Sequence, residues 1–390
     1  MVFSYSPSDA RKAIAKKEKQ MTSSKILCAE VLEKAYVPLN SEFPWSIHVH
    51  NEKLWDRVIA QRTLGIAEAY IDGWWDCESV DQMVARIQQS GALSMLKPNL
   101  RMVATALRAM LSNSQTKQKA RRNVQHHYDT GDDLYTRMLG ETMAYSCGYW
   151  AHSDNLTSAQ YAKFDLICRK LRLEPGMRVL DIGCGWGGFL SYAASVYGIV
   201  GIGITTSDNQ VKEATRRTAG ASVSIINMDY RDLTGTYDRI VSVGMFEHVG
   251  HKNYKEFFSK CDSLLAPDGT MLHHTIGTLR SKAYHDPFIA KYIFPGGQLP
   301  SLAQISKAAE PNWVIEDVHN IGQDYDKTLM AWHSNINALW HEIPSYSKEF
   351  QRMWNFYLLS CAGSFRSRNL QLWQIVMRKK GVADRYISAR

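Results

Sequence analysis

The sequence predicts a doubly wound α/β fold with a mostly parallel sheet, preceded by a smaller α+β domain. From residue 177 onward, short apolar segments alternate with helix-like segments of about a dozen residues, which is the pattern of parallel βαβ units. A turn with four glycines, GCGWGG at 183–188, directly follows the first apolar segment. The chain has 390 residues, which is long enough for one large and one smaller hydrophobic core.

Hydrophobic periodicity gives the order of elements in the larger domain. Strand-like segments are apolar and rich in Val and Ile, whereas the segments between them repeat their apolar residues at helical spacing. The predicted order is strand 177–183, helix 187–198, strand 199–205, helix 207–220, strands 222–230 and 238–246, helix 253–265, a turn at 266–269 and strand 270–277. In such folds ligands bind at the carboxyl ends of the strands, so residues there are candidates for a site.

The first third of the chain is organised differently. Residues 1–25 are polar and basic, and residues 26–90 mix short strand-like and helical segments. Between Asp81 and Asp129 there is no acidic residue, and apolar side chains recur at helical spacing among eight basic ones. We therefore predict a basic arm at 1–25, a small domain at 26–111, a basic linker at 112–122 and the large domain at 123–390.

The amphipathic segment at 96–111 allows two interpretations. It can lie on an anionic membrane surface, where each nearby cation adds on the order of 1 kcal/mol. It can equally pack against another domain, with its basic rim in solvent. The sequence has no recognisable nucleic-acid-binding motif, so its net charge of +8 does not predict a nucleic-acid partner.

Composition and cysteine spacing predict a cytoplasmic protein. No apolar stretch approaches the roughly 20 residues that span a bilayer, and residues 1–20 lack the apolar region of a secretory signal. The seven cysteines are scattered without CxxC pairs, which argues against a disulfide framework or a structural zinc site. The adjacent histidines at 126–127 and 273–274 lack metal-ligand spacing, so no metal site is predicted.

The glycine-rich turn fits two cofactors. Starting at Gly183, it satisfies the G-x-G-x-x-G pattern of dinucleotide sites, which also require an acid at the end of the second strand. That strand ends instead in Thr205 and Thr206. An acid two residues before the first glycine is typical of methyltransferases, and Asp181 occupies that position. We therefore expect S-adenosylmethionine rather than NAD, bound to a Rossmann-like class I methyltransferase sheet.

The expected cofactor contacts follow from the strand ends. Gly183 and Gly185 let the backbone approach the methionine part of the cofactor. The polar side chains after the second strand would bind the ribose or the methionine end. Asp229 and Tyr230 end the third strand, where they could bind and stack on the adenine. The predicted contacts are Asp181, Gly183, Gly185, Trp186, Gly187, Thr205, Thr206, Gln210, Asp229 and Tyr230.

Several stretches are more specific than the glycine turn. They are AEAYIDGWWDC at 67–77, QHHYDTGDDLYTRML at 125–139, MAYSCGYW at 143–150, DRIVSVGMFEHVGHKNY at 238–254, LHHTIG at 272–277, KYIFPGGQLPS at 291–301, DYDKTLMAW at 324–332 and CAGSFRSRNLQLWQ at 361–374. On these stretches the chain resembles bacterial cyclopropane-fatty-acyl-phospholipid synthases and their mycolic-acid relatives. The likeness runs from about Asn51 to the C-terminus.

The resemblance implies a defined reaction. Such enzymes transfer the methyl group of S-adenosylmethionine to a cis double bond in a phospholipid acyl chain, and then close a three-membered ring. The cation formed on the chain requires a pocket that excludes water and aromatic faces that stabilise it. A base then removes a proton so that the ring can close. In this family the base is understood to be a bound bicarbonate ion.

The resemblance also implies which residues surround the bicarbonate ion: Cys147, Glu247, His274, the backbone of Ile276, and Tyr325. Cys361 is treated as an active-site cysteine in this family, although the mechanism gives a thiol no covalent step. Tyr145 and Ser146 would border the S-adenosylmethionine pocket. Because successive strand residues face opposite ways, only one of His273 and His274 can face the crevice.

An enzyme that acts on acyl chains must reach them in a bilayer, which favours the membrane interpretation of the small N-terminal domain. The expected partners are anionic, cis-unsaturated phospholipid membranes at the inner face, and a second copy of the chain in a homodimer. Two alternatives of the same fold stay open, a lipid methyltransferase that gives methyl-branched chains and a small-molecule amine methyltransferase. Buried cysteines are also often inert small hydrophobes, and Glu247 could be a helix N-terminal acid.

Overall fold

A computed structural model describes residues 23–96, 115, 131–281 and 286–390. The chain divides into two compact units, one ending at residue 99 and the other starting at residue 100. The predicted basic arm (except 23–25), the amphipathic segment (except residue 96) and the basic linker (except Gln115) lie outside the described residues. Within the described ranges, no helix combines the length and the apolar composition needed to cross a membrane.

The N-terminal unit combines helices with a short antiparallel ribbon. Its helices are α1 (Ser23–Lys34), α2 (Leu54–Gln61), α3 (Thr63–Ile71) and α4 (Val80–Gln89), followed by a 3-10 turn at Ala92–Met95. Strand β1 (His48–Val49) pairs with β2 (Trp75–Asp76). Trp75 is fully buried, and its indole N–H donates to the carbonyl of Ile66 at 2.9 Å. This bond fixes the ribbon against α3.

A seven-stranded sheet forms the centre of the larger unit. Its strands are β3 (Arg178–Ile182), β4 (Val200–Thr205), β5 (Val223–Asn227), β6 (Tyr237–Val243), β7 (Leu265–Thr278), β8 (Trp313–Asn320) and β9 (Leu370–Lys379). Their order in the sheet is β5-β4-β3-β6-β7-β9-β8. Pairs among β3 to β7 are parallel, whereas β9 is antiparallel to both of its neighbours. The predicted doubly wound α/β class is confirmed, and the strand order reverses between β3 and β6, where ligands bind in such folds.

The helices of the larger unit cover both faces of this sheet. They are α5 (Asp132–Leu139), α6 (Leu156–Leu171), α7 (Gly188–Tyr197), α8 (Asp208–Arg217), α9 (Tyr254–Leu264), α10 (Pro287–Tyr292), α11 (Leu302–Ala309), α12 (Gly322–Leu339) and α13 (Lys348–Arg366). Helix α6 begins at the N-cap Asn155, whose side chain accepts a hydrogen bond from the Ser158 N–H at 2.9 Å. This satisfies one of the amide groups left unpaired at a helix start.

Two hydrophobic cores follow from strand alternation. One core contains strand residues Leu180, Ile240, Met271 and Ile375, with side chains from α9 and α11. The other contains their immediate neighbours Val179, Val241, Leu272 and Val376, with side chains from α6 and α7. Each of these strands is therefore buried on both faces, which explains why the strand segments are continuously apolar.

The structure differs from the sequence prediction at residues 266–269. These residues lie within β7 and do not form a turn that precedes it. The register between β6 and β7 shifts here, because Tyr237 pairs with Leu265 whereas Arg239 pairs with Thr270. The Pro-Asp-Gly signal therefore marks an irregularity inside the strand, and the predicted turn is wrong.

Candidate active site

A cavity of about 170 Å³ lies at the carboxyl ends of β3, β4 and β6. This is the edge of the sheet that the strand reversal identifies as a ligand site. Of the predicted cofactor residues, those that line it are Tyr145, Ser146, Asp181, Gly183, Gly185, Trp186, Thr205, Thr206, Gln210, Asp229 and Tyr230. The structure therefore brings all of the predicted cofactor residues except Gly187 around one cavity.

Gly187 is the predicted cofactor residue that does not line the cavity. It lies at the start of α7 and faces α8, where an added Cβ would lie 3.2 Å from the Ala214 Cβ and 3.3 Å from the Thr218 Cγ2. Its neighbour Gly188 lines the cavity instead. The structure thus gives Gly187 a helix-packing position.

Gly183 forms the turn that leads out of β3. Its φ is +84°, and an added Cβ would lie 2.7 Å from side-chain atoms of Met245. The N–H groups of Gly183 and Cys184 both donate to the carbonyl of Ile204, at 2.9 and 3.0 Å. These bonds fix the turn against the end of β4, and only glycine fits the conformation and the space.

The far wall of the cavity contains a pair that the sequence did not predict. The guanidinium of Arg231 donates to both carboxylate oxygens of Asp229, at 2.8 and 2.7 Å. The Tyr230 ring packs edge-on against Phe257, with centroids 5.4 Å apart. Asp229 and Tyr230 therefore line the cavity that was expected to hold the adenine. Arg231 holds the Asp229 carboxylate in a fixed, bidentate geometry.

One acidic side chain from β3 and one basic side chain from α6 line the cavity. Asp181 ends β3 and is buried, and burial raises the pKa of its carboxyl to about 7 despite the nearby Lys163. Lys163, on α6, is buried as well, and burial lowers the pKa of its ammonium to about 7. Lys163 was not predicted from the sequence as a residue of this cavity. A usable signal exists, because Lys163 and Lys170 are seven residues apart on the otherwise apolar face of α6.

The predicted anion-binding residues come from four separate segments. Cys147 lies in the loop before α6, Glu247 in a 3-10 turn after β6, His274 and Ile276 in β7, and Tyr325 in α12. The structure joins two of them directly, because the Ile276 N–H donates to Glu247 Oε1 at 2.7 Å. The resemblance implied a role for the backbone of Ile276 at the anion, and in the structure its N–H is bonded to the neighbouring carboxyl.

Tyr325 lies near the same carboxyl. Burial raises the pKa of its phenol well above the ordinary value, and the charges of Cys147, Tyr145 and Glu247 raise it further. The ring stacks on Phe365 with centroids 4.6 Å apart. Cys147, Glu247 and Tyr325 therefore share one buried neighbourhood, as the resemblance implied.

Glu247 and His274 each present a polar atom without a hydrogen bond. Both side chains are buried, and within the described ranges Glu247 Oε2 and His274 Nε2 have no partner. Burial raises the pKa of Glu247 to about 7 and holds that of His274 well below its ordinary value. The other ring nitrogen of His274, Nδ1, faces the amide nitrogen of Gln374 at 3.4 Å. A buried polar atom normally has a partner, and these two atoms have none among the described residues.

The adjacent histidines separate as strand alternation requires. His273 packs edge-on against Phe246, with ring centroids 4.5 Å apart, and also contacts the rings of Phe257 and Phe258. His274 points instead toward Gln374. The two side chains therefore lie on opposite faces of β7, His273 among phenylalanine rings and His274 beside Gln374.

The two cysteines that the resemblance implied differ in burial. Cys147 is fully buried, and its Sγ donates to the Gly148 carbonyl at 3.1 Å and lies 3.8 Å from the Thr328 hydroxyl. Cys361, on α13, is half-buried, and desolvation raises its pKa to about 12. Both side chains are therefore protonated near neutral pH and do not act as thiolate nucleophiles.

Aromatic side chains surround Tyr145, which lines the cofactor cavity and also lies near Tyr325 of the predicted anion-binding residues. The hydroxyls of Tyr145 and Tyr357 are hydrogen-bonded at 2.9 Å. The Tyr145 ring lies 5.3 Å from Trp332 and 6.2 Å from Phe294. Such a cluster excludes water and presents several π-faces.

Comparisons with known proteins agree with this geometry. The sequence family described as mycolic acid cyclopropane synthetase matches residues 115–375. The chain is 48% identical over 351 residues to the cyclopropane-fatty-acyl-phospholipid synthase of Escherichia coli (strain K12), covering 90% of this chain and 92% of that protein. It is 36% identical over 277 residues to cyclopropane mycolic acid synthase 1 of Mycobacterium tuberculosis (strain CDC 1551 / Oshkosh), covering 66% and 96%.

A solved structure gives the same result for the fold. The crystal structure of mycolic acid cyclopropane synthase CmaA1 complexed with SAH and CTAB superposes with a TM-score of 0.63 at 35% identity. The match covers 67% of this chain and 98% of that chain. The similarity to this structure therefore extends over about two thirds of this chain.

Proposed function

Because the chain belongs to the mycolic acid cyclopropane synthetase family, we propose that it makes cyclopropane fatty acids from phospholipid acyl chains. It transfers the methyl group of S-adenosylmethionine to a cis double bond, and a proton is then removed as the ring closes. The 48% identity to the Escherichia coli phospholipid enzyme, over nine tenths of this chain, favours phospholipid acyl chains as the substrate.

The cavity fits S-adenosylmethionine, which supplies an electrophilic methyl group on a positively charged sulfur when it is bound. Gly185 lines the cavity, and an added Cβ there would meet nothing within 4 Å, so it leaves room for close approach to the turn after β3. Asp181 and Lys163 offer one negative and one positive group to the amino acid end of this ligand. Thr205 and Gln210 are fixed by a mutual hydrogen bond of 2.6 Å and can hold its hydroxyl groups.

The aromatic cluster around Tyr145 is suited to the reacting part of the acyl chain. An isolated alkene is a weak nucleophile, so alignment against the methyl donor supplies much of the rate. Positive charge then develops on the chain, and the faces of Tyr145, Trp332 and Phe294 can stabilise it without reacting. Water must be kept away from this charge, and the buried ring of Trp332 contributes to that.

We propose bicarbonate as the base that removes the proton. The observation that supports it is the pair of unpartnered buried atoms, Glu247 Oε2 and His274 Nε2. If the Gln374 amide N–H donates to Nδ1, the ring proton of His274 lies on Nε2 and can be donated to an anion. Glu247, with a pKa of about 7, can accept a proton from this position and pass it outward.

We also propose that the protein binds the inner face of an anionic membrane, and does so as a homodimer. The net charge is +8. In the N-terminal unit Tyr36 is 80% exposed and Phe43 is 55% exposed, and Arg86 lies 3.8 Å over the ring of Trp45. Exposed aromatic and cationic side chains are typical of membrane-interface surfaces. Two such units in one dimer would increase the avidity for a membrane.

The function is tested by incubating the purified protein with S-adenosylmethionine and liposomes of a cis-unsaturated phospholipid. We expect acyl chains that gain one methylene and lose the double bond, with ring protons visible by NMR. A methyl-branched alkene would keep the cofactor and the lipid but reject ring closure. Unchanged lipid, despite tight binding of S-adenosylmethionine, would indicate a small-molecule methyl acceptor instead. Removing dissolved bicarbonate should lower the rate, and adding it back should restore it.

A further inference from the structure

The hydrogen-bond partners of the buried Lys163 side chain are neutral, and the Asp181 carboxylate acts on it from a greater distance. The residue is 1% exposed and lines the cofactor cavity. Its ammonium donates to Ser146 Oγ at 2.7 Å and to Gln160 Oε1 at 2.6 Å. A buried ammonium is unfavourable unless an opposite charge compensates it. A hydroxyl and an amide do not supply that charge.

A second buried lysine on the same helix provides a comparison. Lys170 follows seven residues later, about two helical turns, so both lysines lie on the same face of α6. The Lys170 ammonium lies 3.5 Å from Asp317 Oδ2 and 3.0 Å from His319 Nδ1. Lys170 thus has an anion inside the protein. In the part of the chain that the structure describes, no carboxylate oxygen lies within 4.0 Å of the Lys163 ammonium.

The hydrogen bond from Lys163 determines what Ser146 can do. An ammonium only donates, so the Ser146 oxygen accepts and its own proton must be donated elsewhere. Ser146 lines the cavity, which makes a ligand the natural acceptor. Gln160 holds the same residue from the other side, because its Nε2 donates to the Ser146 carbonyl at 2.8 Å. Lys163 and Gln160 together fix Ser146 as a donor.

Asp181 indicates the kind of ligand that fits. It lines the same cavity, and its Oδ1 accepts no hydrogen bond from the described residues. A cavity with one cationic and one anionic side chain complements a group that carries both charges. The amino acid end of S-adenosylmethionine carries an ammonium and a carboxylate.

We propose that Lys163 is a positioning residue for the carboxylate of the cofactor, acting through Ser146, whose hydroxyl touches that carboxylate. The carboxylate of the ligand then adds to Asp181 as a counter-charge of Lys163. The positive charge behind Ser146 strengthens the hydroxyl as a donor. The inference rests on the proposed function, because it takes S-adenosylmethionine as the cofactor.

The test compares two ligands that differ only in this group, S-adenosylmethionine and decarboxylated S-adenosylmethionine. Dissociation constants are measured by calorimetry for the wild type and for Lys163→Met, Ser146→Ala, the double variant and Lys170→Met. We expect Lys163→Met and Ser146→Ala each to weaken S-adenosylmethionine about 10- to 100-fold, the loss typical of a hydrogen bond to a charged group. Neither should change the binding of the decarboxylated ligand. Because the two residues act together, the double variant should lose no more affinity for S-adenosylmethionine than the single variant that binds it less tightly.

Lys170→Met is the matched control, because it removes a buried lysine from the same helix face. It should lower thermal stability and leave the affinity ratio of the two ligands unchanged. The inference would be overturned if Lys163→Met weakened the binding of both ligands equally. It would also be overturned if Ser146→Ala kept the wild-type ratio of the two dissociation constants. Should Lys163→Met fail to fold, the ratio in Ser146→Ala still decides. A wild type that binds neither ligand would instead reject the proposed cofactor.

Discussion

Glu247 has two carboxyl oxygens with different surroundings. Oε1 accepts the Ile276 N–H at 2.7 Å, whereas Oε2 has no partner within the described ranges. The first bond is structural, since it joins the turn after β6 to β7. In the proposed mechanism the second oxygen contacts the ligand and transfers a proton. One side chain therefore combines a structural and a chemical role that substitution can separate.

Glu247→Gln should reduce the rate of cyclopropane formation at least about 100-fold, the usual contribution of a group that transfers protons. The amide oxygen can still accept the Ile276 N–H, so the local structure and the affinity for S-adenosylhomocysteine should persist. Product is measured by mass spectrometry of released acyl chains. Glu342→Gln, which changes an exposed carboxyl bonded to Arg137, should retain full activity. A rate within threefold of wild type for Glu247→Gln would remove this residue from the mechanism.

The same variant should reveal how much the buried carboxyl of Glu247 lowers the stability of the folded state at each pH. The pKa of Glu247 is raised from 4.5 to about 7 in the folded protein. The folded state therefore binds more protons than the unfolded state between these values, and stability falls as pH rises through this window. Glutamine does not titrate.

We thus expect Glu247→Gln to gain thermal stability relative to the wild type between pH 5 and pH 8, with the difference fully developed above about pH 7. Scanning calorimetry at several pH values measures this difference. A difference that does not change with pH would mean that Glu247 titrates normally.

Single residues were predicted from the sequence where the signal is local. Asp181 and Gly183 lie within a short motif, so spacing alone identified them. Lys163 and Gln374 were missed because their significance depends on partners that the fold brings together, Ser146 for one and His274 for the other. A buried lysine in an amphipathic helix reads as a surface residue until its surroundings are known.

At the scale of elements, the turn between β3 and α7 combines a strained conformation with a close packing contact. Gly183 and Gly220 both have a φ of +84°, but their surroundings differ. An added Cβ at Gly183 would lie 2.7 Å from Met245, whereas one at Gly220 would meet nothing within 4 Å. The two positions therefore share backbone strain, and only Gly183 adds a steric clash at the cavity.

Gly220→Ala should cost roughly 1 kcal/mol of unfolding free energy, the penalty for a side chain in this conformation. Gly183→Ala should cost more, about 2 to 4 kcal/mol, because Met245 must also move. Binding of S-adenosylhomocysteine should fall at least about tenfold in Gly183→Ala and be unchanged in Gly220→Ala. Chemical denaturation and calorimetry give the two quantities. Equal stability loss and equal binding in the two variants would show that the turn tolerates a side chain.

The order of strands and helices from residue 177 to β7 was predictable because each element carries its own periodicity. The antiparallel pairing of β9 with β7 and β8 was not, because it joins segments far apart in the chain. Residues 266–269 show the limit of local signals. Their composition is that of a turn, but they lie within β7, at the register shift between Leu265 and Thr270.

For the whole molecule, net charge should govern access to the substrate. The charge is +8, and the attraction of basic side chains to anionic lipid is screened by salt. Raising sodium chloride from about 50 mM to about 500 mM should strongly reduce sedimentation with anionic liposomes and the initial rate on them. Affinity for S-adenosylhomocysteine, measured without lipid, should change little. Salt-independent binding to liposomes would favour aromatic insertion, through residues such as Tyr36 and Phe43, over charge.

The position of β9 affects how the protein is made. This strand is the last of the sheet along the chain, but it lies between β7 and β8. On the ribosome, β7 and β8 emerge long before the strand that separates them, so β7 exposes an unpaired edge until residues 370–379 are translated. Gln374 arrives with that strand. The partner of His274 is therefore supplied only after the other strands of the sheet, and a nascent chain that stalls earlier carries an open sheet edge and lacks Gln374 beside His274.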